Sequence, residues 1–495
     1  MTLHPSERFD FVVLGGGSAG CVLASRLSED PSIRVCLVEA GPDYGAHQDG
    51  GWPADLLDAS SDALESHDWG YEGGVASARA RVIGGCSSIN GCGIVWPGAD
   101  DFRRWPAHGG WQFEKLKPYL ARAEKQMRSH LSSPDYLEPW RKAFLGAAVD
   151  CGYKFGINFN DPALTPGVGM ASLNTIGSVR WNTAFGYLDQ ARPRPNLMLL
   201  ASTLVDHLDI QQGRAISAHL VAEGRGILLR ADRFVLAAGT FASPGVLVRS
   251  GIGDPAELRK VGIRTSVSLP GVGKHLIDHP LVDVPFRPKP EILEKTRQHF
   301  ASDPPVAQVL LRAADGKHGS DSWDLMLGPW LGSEHAGITV MQTMPTGTGS
   351  VRQSGSLAES PPIIEHQFGD MGSEDLDNLC AGVELARSLG SAAQCATQAD
   401  GDADLGEASQ AGRLVDWVKS RIVGNHHPVG TCSMGSSNDP AAVVDVGMRV
   451  HGVDNLYVVD ASIFPSIPRA NVHLTVLGVA ERAAALLTGG ESDST

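Results

Sequence analysis

"FDFVVLGGGSAGCVLASRLSEDPSIRVCLVEAG", Phe9 to Gly41, decides the fold. An apolar run from Phe11 to Leu14 meets a glycine turn. A helical stretch with apolar spacing at Val22, Leu23 and Leu27 follows, and a second apolar run, Val35 to Val38, ends in Glu39. That order predicts a βαβ unit. Gly15, Gly17 and Gly20 fill the pattern GxGxxG. The first allows the sharp turn, the second lets backbone approach a pyrophosphate, and the third lets helix and strand pack closely. The helix that opens at Ser18 turns its unpaired N–H groups toward the phosphates. Glu39, with Ala40 beside it, comes about 20 residues after the turn, where a carboxylate accepts hydrogen bonds from ribose hydroxyls. The stretch therefore predicts dinucleotide binding and leaves FAD and NAD equally open.

The remaining composition sets bounds on this reading. A chain of 495 residues exceeds what one hydrophobic core usually supports, so two domains are expected. With 41 basic against 56 acidic side chains the net charge is −15, and no block of Lys and Arg breaks the pattern. Nucleic acid and anionic membrane are poor partners for such a surface. The eight cysteines are scattered, without a CxxC pair, which favours free thiols over disulfides or a zinc site. No apolar run reaches the length of a membrane span and no signal-peptide region precedes the first strand, so a soluble, cytoplasmic protein is expected.

Further along, "RVIGGCSSINGCGIVWPGADDFRRW" (Arg81 to Trp105), "GTFASPGVLVRSGIG" (Gly239 to Gly253), "LPGVGKHLIDHP" (Leu269 to Pro280) and "VVDASIFPSIPRANVHLTVLGVAER" (Val458 to Arg482) stand in an order that resembles the glucose-methanol-choline oxidoreductase family. The resemblance implies FAD, an α/β fold with a Rossmann-like FAD domain, and an α+β substrate domain on an antiparallel sheet. It places the FAD domain at 1–155, 191–285 and 425–495, and the substrate domain at 156–190 and 286–424. It also implies cofactor contacts from Gly84, Gly85, Asn90, Gly91 and Gly93. Val205 matches a position near the adenine, although a plain β-branched strand residue explains it equally. Asp460 and Ala461 match the pyrophosphate and ribityl region, with a helix N-cap as the alternative for Asp460. Some members tether the flavin through a histidine where Ile89 stands here, which implies noncovalent FAD. His275, in place of the usual Asn, is a departure.

"NHHPVGTCSMG", Asn425 to Gly435, carries the chemistry. Oxidising an alcohol carbon requires the hydroxyl proton to leave, and a histidine is a base suited to that task near neutral pH. By resemblance, His427 is the base before the flavin, and His473 in "RANVHLTV" is the second member of the pair, holding the substrate oxygen and also touching the cofactor. In an extended segment, neighbouring side chains face opposite ways, so His426 turns away or packs along the cofactor edge. His67, His275 and His279 are expected to be structural.

These readings predict FAD-dependent oxidation of a primary alcohol to the aldehyde, with electrons passing to O2 or another acceptor. The alternatives are a hydroxynitrile lyase of the same fold with structural flavin, or a nonenzymatic flavin-binding protein. Trp96, Trp323 and Trp330 offer ring surfaces that favour an aromatic or furanic alcohol, although core packing is the commoner role of each. Leu376, Leu379, Val383 and Ala386 are spaced as the buried stripe of a helix. "ATQADGDADLGEASQAG", Ala396 to Gly412, reads as an acidic surface loop.

Overall fold

The computed structural model describes residues 8–489 apart from 61–62, 73–77, 163–164, 315–323, 333, 367, 369–370 and 403–412. The opening stretch forms the βαβ unit: strands Arg8–Leu14 and Val35–Val38 pair in parallel around helix Ser18–Leu27, with Phe11 opposite Val35 and Leu14 opposite Val38. Strands buried on both faces read as continuous apolar runs, and the four residues of Val35–Val38 are all buried. On its other side Arg8–Leu14 pairs in parallel with the long strand Arg225–Leu236, and Leu197–Leu200 and Leu456–Val458 extend the parallel order. The first half of Arg225–Leu236 turns antiparallel against Arg214–Ala222, which in turn pairs with Leu204–Gln211. Helices Ser18–Leu27, Phe113–Gln126 and Val472–Leu487 join this sheet in one apolar core.

A second sheet is antiparallel throughout. Its order is Ala399–Asp402, Pro280–Pro288, Ala336–Gln342, Leu325–Leu331, Val309–Ala313, Gly167–Met170. Helix Ser373–Ser391 covers it with Leu376, Leu379, Val383 and Ala386, all buried in a second core. The fold is thus mixed α/β, one Rossmann-like sheet and one antiparallel sheet.

Three stretches depart from the sequence reading. Helix Pro139–Asp150, expected with the first domain, buries Trp140, Phe144 and Ala147 in the second core, and Trp140 Nε1 donates to Gly337 O at 3.0 Å. Trp181 to Leu188, expected with the substrate domain, packs into the first core, where the Tyr187 hydroxyl donates to Glu481 Oε1 at 2.9 Å. Each stretch follows its apolar face, and a chain that crosses twice between layers gives no compositional break there. Within the supposed acidic loop, Ala399–Asp402 is an edge strand on Pro280–Pro288, and 403–412 lies outside the described residues.

Candidate active site

A cavity of about 680 Å³ runs between the βαβ unit and the carboxyl-terminal segments. Gly15, Gly17 and Ser18 line it, with Glu39 and Ala40 at the end of the second strand and Val205 on a neighbouring strand. Gly85, Asn90, Gly91 and Gly93 add another wall, and Asp460, Ala461, His427 and His473 a third. Gly20 and Gly84 do not line it. Gly20 lies against the Gly15 carbonyl, which a Cβ would meet at 1.9 Å, so its part is close packing of helix on turn. Gly84, at φ +87, donates its N–H to Gly16 O at 2.8 Å and so joins the two glycine turns.

The walls fit a flavin dinucleotide. Helix Ser18–Leu27 has no side-chain cap on its first N–H groups and no acid in its first turn, which leaves its positive end for an anion. Glu39 is buried and accepts from Gly16 N and Gly41 N, each at 2.8 Å. Burial pushes its carboxyl up to about 7 while those N–H groups pull it down. Asp460 accepts from Gly239 N at 2.8 Å and Ser243 Oγ at 2.6 Å, and caps a short turn through Ser462 N at 2.8 Å. The capping role and the place on the cavity wall hold together. Both ring nitrogens of His473 are shielded from solvent and lack a protein partner, in the first turn of helix Val472–Leu487. Such orphaned polar atoms on a cavity wall suit a bound group that pairs with them.

His427 sits in a chain of hydrogen bonds that fixes which nitrogen is free. The Pro468 carbonyl lies 3.1 Å from His279 Nε2, and a carbonyl only accepts, so Nε2 carries the proton. Burial lowers His279 to about 3, against the pull of the Pro468 and Thr343 carbonyls, and keeps the ring neutral. Its Nδ1 is then a lone pair, 3.0 Å from His427 Nδ1. His427 must supply the proton of that bond, which leaves its Nε2 unprotonated. Asn425 Nδ2 lies 3.3 Å from His427 Nδ1 and donates to Met341 Sδ at 2.7 Å. The His427 backbone N–H donates to Asp278 Oδ1 at 2.9 Å and anchors the segment. Burial, then the neighbouring His279, His426 and Arg79, hold the His427 imidazole well below its usual pKa.

Two features escaped the sequence reading. His279, taken as structural, touches His427 across 148 positions of chain. Asn471, not singled out, places Nδ2 at 3.3 Å from His427 Nε2, in the place expected of His473. Asn471 stands at the N-cap of Val472–Leu487, yet its side chain makes no cap bond and reaches the histidine instead. An Asn immediately before a helix is the signal that was available, but it normally means capping. The two adjacent histidines also diverge by a different route from the one expected. His426 has φ +57, a left-handed residue in place of an extended segment, and it lines the cavity too.

Removing the Asn471 amide, as in Asn471→Ala, is expected to slow reduction of bound flavin by substrate about tenfold, the worth of one neutral hydrogen bond. His473→Ala is expected instead to shift the absorbance of the bound flavin. Equal rates for Asn471→Ala and wild type in anaerobic stopped flow would remove Asn471 from the site.

Of the three tryptophans expected to offer ring surface to a substrate, the two that are described lie away from the cavity. Trp96 packs edge-on against Phe113, Trp330 donates to Asp283 Oδ1 on the second sheet, neither lines the cavity, and Trp323 lies outside the described residues.

Sheet, glycine cradle and histidine pair define a flavin-type oxidoreductase site. The chain belongs to the GMC oxidoreductase family: family models match residues 9–281 and 345–480. It is 31% identical to choline oxidase of Arthrobacter globiformis, over 99% of this chain and 96% of that one. Among solved structures it is similar to pyridoxine 4-oxidase from Mesorbium loti, with TM-score 0.85 and 27% identity over 98% of this chain and 100% of the other. It also shares the fold of Aspergillus oryzae formate oxidase, with TM-score 0.86 and 22% identity over 99% of each chain. FAD is the family's cofactor. The expectation that it is held noncovalently does not stand beside formate oxidase, where the structures concern modification of the FAD. Ile89 alone does not decide how the cofactor is held. An aliphatic side chain removes one point of attachment, whereas Cys86, His426 and Tyr71 on the same wall carry other reactive atoms. Among the described residues, no helix is long and apolar enough to cross a membrane, and no disulfide joins any of the eight cysteines.

Proposed function

We propose that the chain oxidises an uncharged primary alcohol to the aldehyde, with aryl and heteroaryl methanols as the substrate class. The observation that carries this reading is the hydrogen-bond chain from Pro468 through His279, which leaves His427 Nε2 unprotonated at the cavity wall. His427 takes the hydroxyl proton of the substrate, and Asn471 donates to the oxygen on which charge develops. His279 carries no proton away; it is a positioning residue that holds His427 in the required tautomer. Bound FAD supplies the hydride acceptor at its N5, and O2 or another acceptor takes the electrons onward.

Charge and ring surface support the substrate class. Of the aromatic group on the cavity wall, Phe241 has Arg79 at 4.6 Å over one face and Trp69 has Arg81 at 4.9 Å, while Tyr71 stacks on Trp69. Those fixed positive charges beside the rings repel a quaternary ammonium and compete with it for the ring electrons. Choline is therefore a poor fit despite the likeness to choline oxidase. Phe300 and Tyr136 present exposed rings to the same cavity, and the similarity to pyridoxine 4-oxidase points to a ring-bearing alcohol. The test is anaerobic bleaching of the flavin band with a panel of benzyl, furfuryl and pyridylmethyl alcohols, short aliphatic alcohols and choline. The ring alcohols are expected to bleach it. Silence across the whole panel would overturn the proposed activity, and faster bleaching by choline would overturn the proposed class.

A further inference from the structure

The outer face of the hairpin Leu204–Gln211 and Arg214–Ala222, away from the cavity, carries a cluster that the oxidation does not use. The strands turn at Gln212 and Gly213, both with positive φ, and the inward residues Leu208, Ala218 and Leu220 are buried. Alternation then puts His207 and Asp209 on the opposite face, directly across from His219 and Ser217. The two imidazoles stack, with centroids 4.3 Å apart and planes within 7°. Asp209 Oδ2 lies 2.7 Å from His219 Nε2, and Asp209 Oδ1 lies 4.0 Å from His207 Nε2.

We infer that His207, Asp209 and His219 form a binding site for a late first-row divalent cation of the Zn2+ class. Two imidazole nitrogens and one carboxylate are the donor set of three-ligand zinc sites, and they disfavour Mg2+ and Ca2+, which take oxygen ligands. The donor atoms lie within 4.8 Å of one another, against about 3.4 Å between ligands around a tetrahedral zinc. All three side chains are partly exposed and free to close that gap.

The surroundings are those of a supported site. A register shift between His219 and Leu220 adds Asp206 as an extra residue, and its carboxylate accepts from His207 Nδ1 at 3.1 Å. That bond puts the proton of a neutral His207 on Nδ1 and leaves the Nε2 lone pair toward the cluster, the arrangement by which a carboxylate orients a ligating histidine. Ser217 Oγ donates to Asp209 Oδ2 at 2.7 Å and fixes the carboxylate. Arg249 Nε, in turn, donates to the Asp206 carbonyl at 2.8 Å. A bound Zn2+ takes the lone pair of His219 Nε2, and the ring keeps its one proton, which moves by solvent exchange from Nε2 to Nδ1. Water fills the open position.

The test is titration of chelator-stripped holoenzyme with Zn2+ against a chromophoric competitor, for the wild type and for His207→Ala/His219→Ala. The wild type is expected to bind one equivalent of Zn2+ more than the double variant, undisplaced by excess Mg2+ and at unchanged flavin content. Asp206→Asn is expected to weaken binding about tenfold. The exposed thiols of Cys86 and Cys151 are common to both proteins and cancel in the difference. Equal stoichiometry in wild type and double variant, or no bound equivalent in the wild type, would overturn the site.

Discussion

His427→Ala is expected to retain its FAD and to lose about 10³-fold in the rate of flavin reduction by substrate, the usual worth of a positioned general base. At room temperature that factor corresponds to about 4 kcal/mol of barrier. Retention of the cofactor follows because the side-chain partners of His427 are His279, Asn425 and Asn471, none of which belongs to the glycine cradle. The same geometry fixes the pH dependence. Burial lowers the pKa of His427, so the ring is unprotonated above a value well under that of an ordinary histidine. The rate of reduction is therefore expected to stay level as pH falls through about 6.5 and to decline only below it. His279, lowered to about 3, stays neutral throughout and adds no inflection in that range. Anaerobic stopped flow across the acid range reads both effects. Unchanged reduction in the variant would end the assignment of the base. A decline centred on the ordinary histidine value would show that the base works in a solvated setting unlike the one described.

The parts of this site that were readable in the sequence are those set by local periodicity. The glycine turn, the helix at Ser18 and the apolar run Val35–Val38 declare themselves within one window, and so does the buried stripe from Leu376 to Ala386. Contacts between distant stretches have no such signature. His279 and His427 meet only because Pro280–Pro288 and Val423–Gly424 pair antiparallel, which brings the segments before and after them side by side. Asn471 was overlooked for a subtler reason. The helix starts at Val472, which makes Asn471 the N-cap, and its side chain abandons the local bond that residue type usually makes. His275, by contrast, becomes intelligible once its backbone is seen. At φ +60 it occupies the left-handed region, where Asn is the favoured non-glycine and His is also enriched, and its Nε2 reaches Pro465 O at 3.1 Å. The hairpin cluster was half visible: folding the chain about Gly213 sets His207 against His219 and Asp209 against Ser217. What no pattern announces is the irregularity that swings Asp206 onto the same face.

Gly20→Ala is expected to yield a colourless protein, destabilised by about 3 kcal/mol. Its Cβ would stand 1.9 Å from the Gly15 carbonyl oxygen and 3.5 Å from Leu37 Cδ1, so either the helix or the turn must yield. The turn cannot rotate out of the way. Gly15 sits at φ +114, its N–H is committed to Val38 O at 2.9 Å, and the space beside its own α-carbon is closed by the Ala237 backbone at 2.5 Å. The helix cannot retreat cheaply either, since Cys21, Val22, Leu23 and Ala24 on either side of its axis are fully buried in the first core. Lifting its first turn would also carry the N–H groups of Ser18 and Ala19 away from the cavity wall they line. Binding and stability thus fall together, whereas a glycine conserving mere flexibility would affect neither. Gly226→Ala serves as the control, because nothing lies within 4 Å of the added methyl and no unusual φ is required there. The ratio of flavin to protein absorbance and the thermal midpoint read the outcome. A yellow Gly20→Ala protein with the midpoint of the control would mean that the helix and the turn do not meet as closely as these atoms require, and the placement of the pyrophosphate against that helix would fall with it.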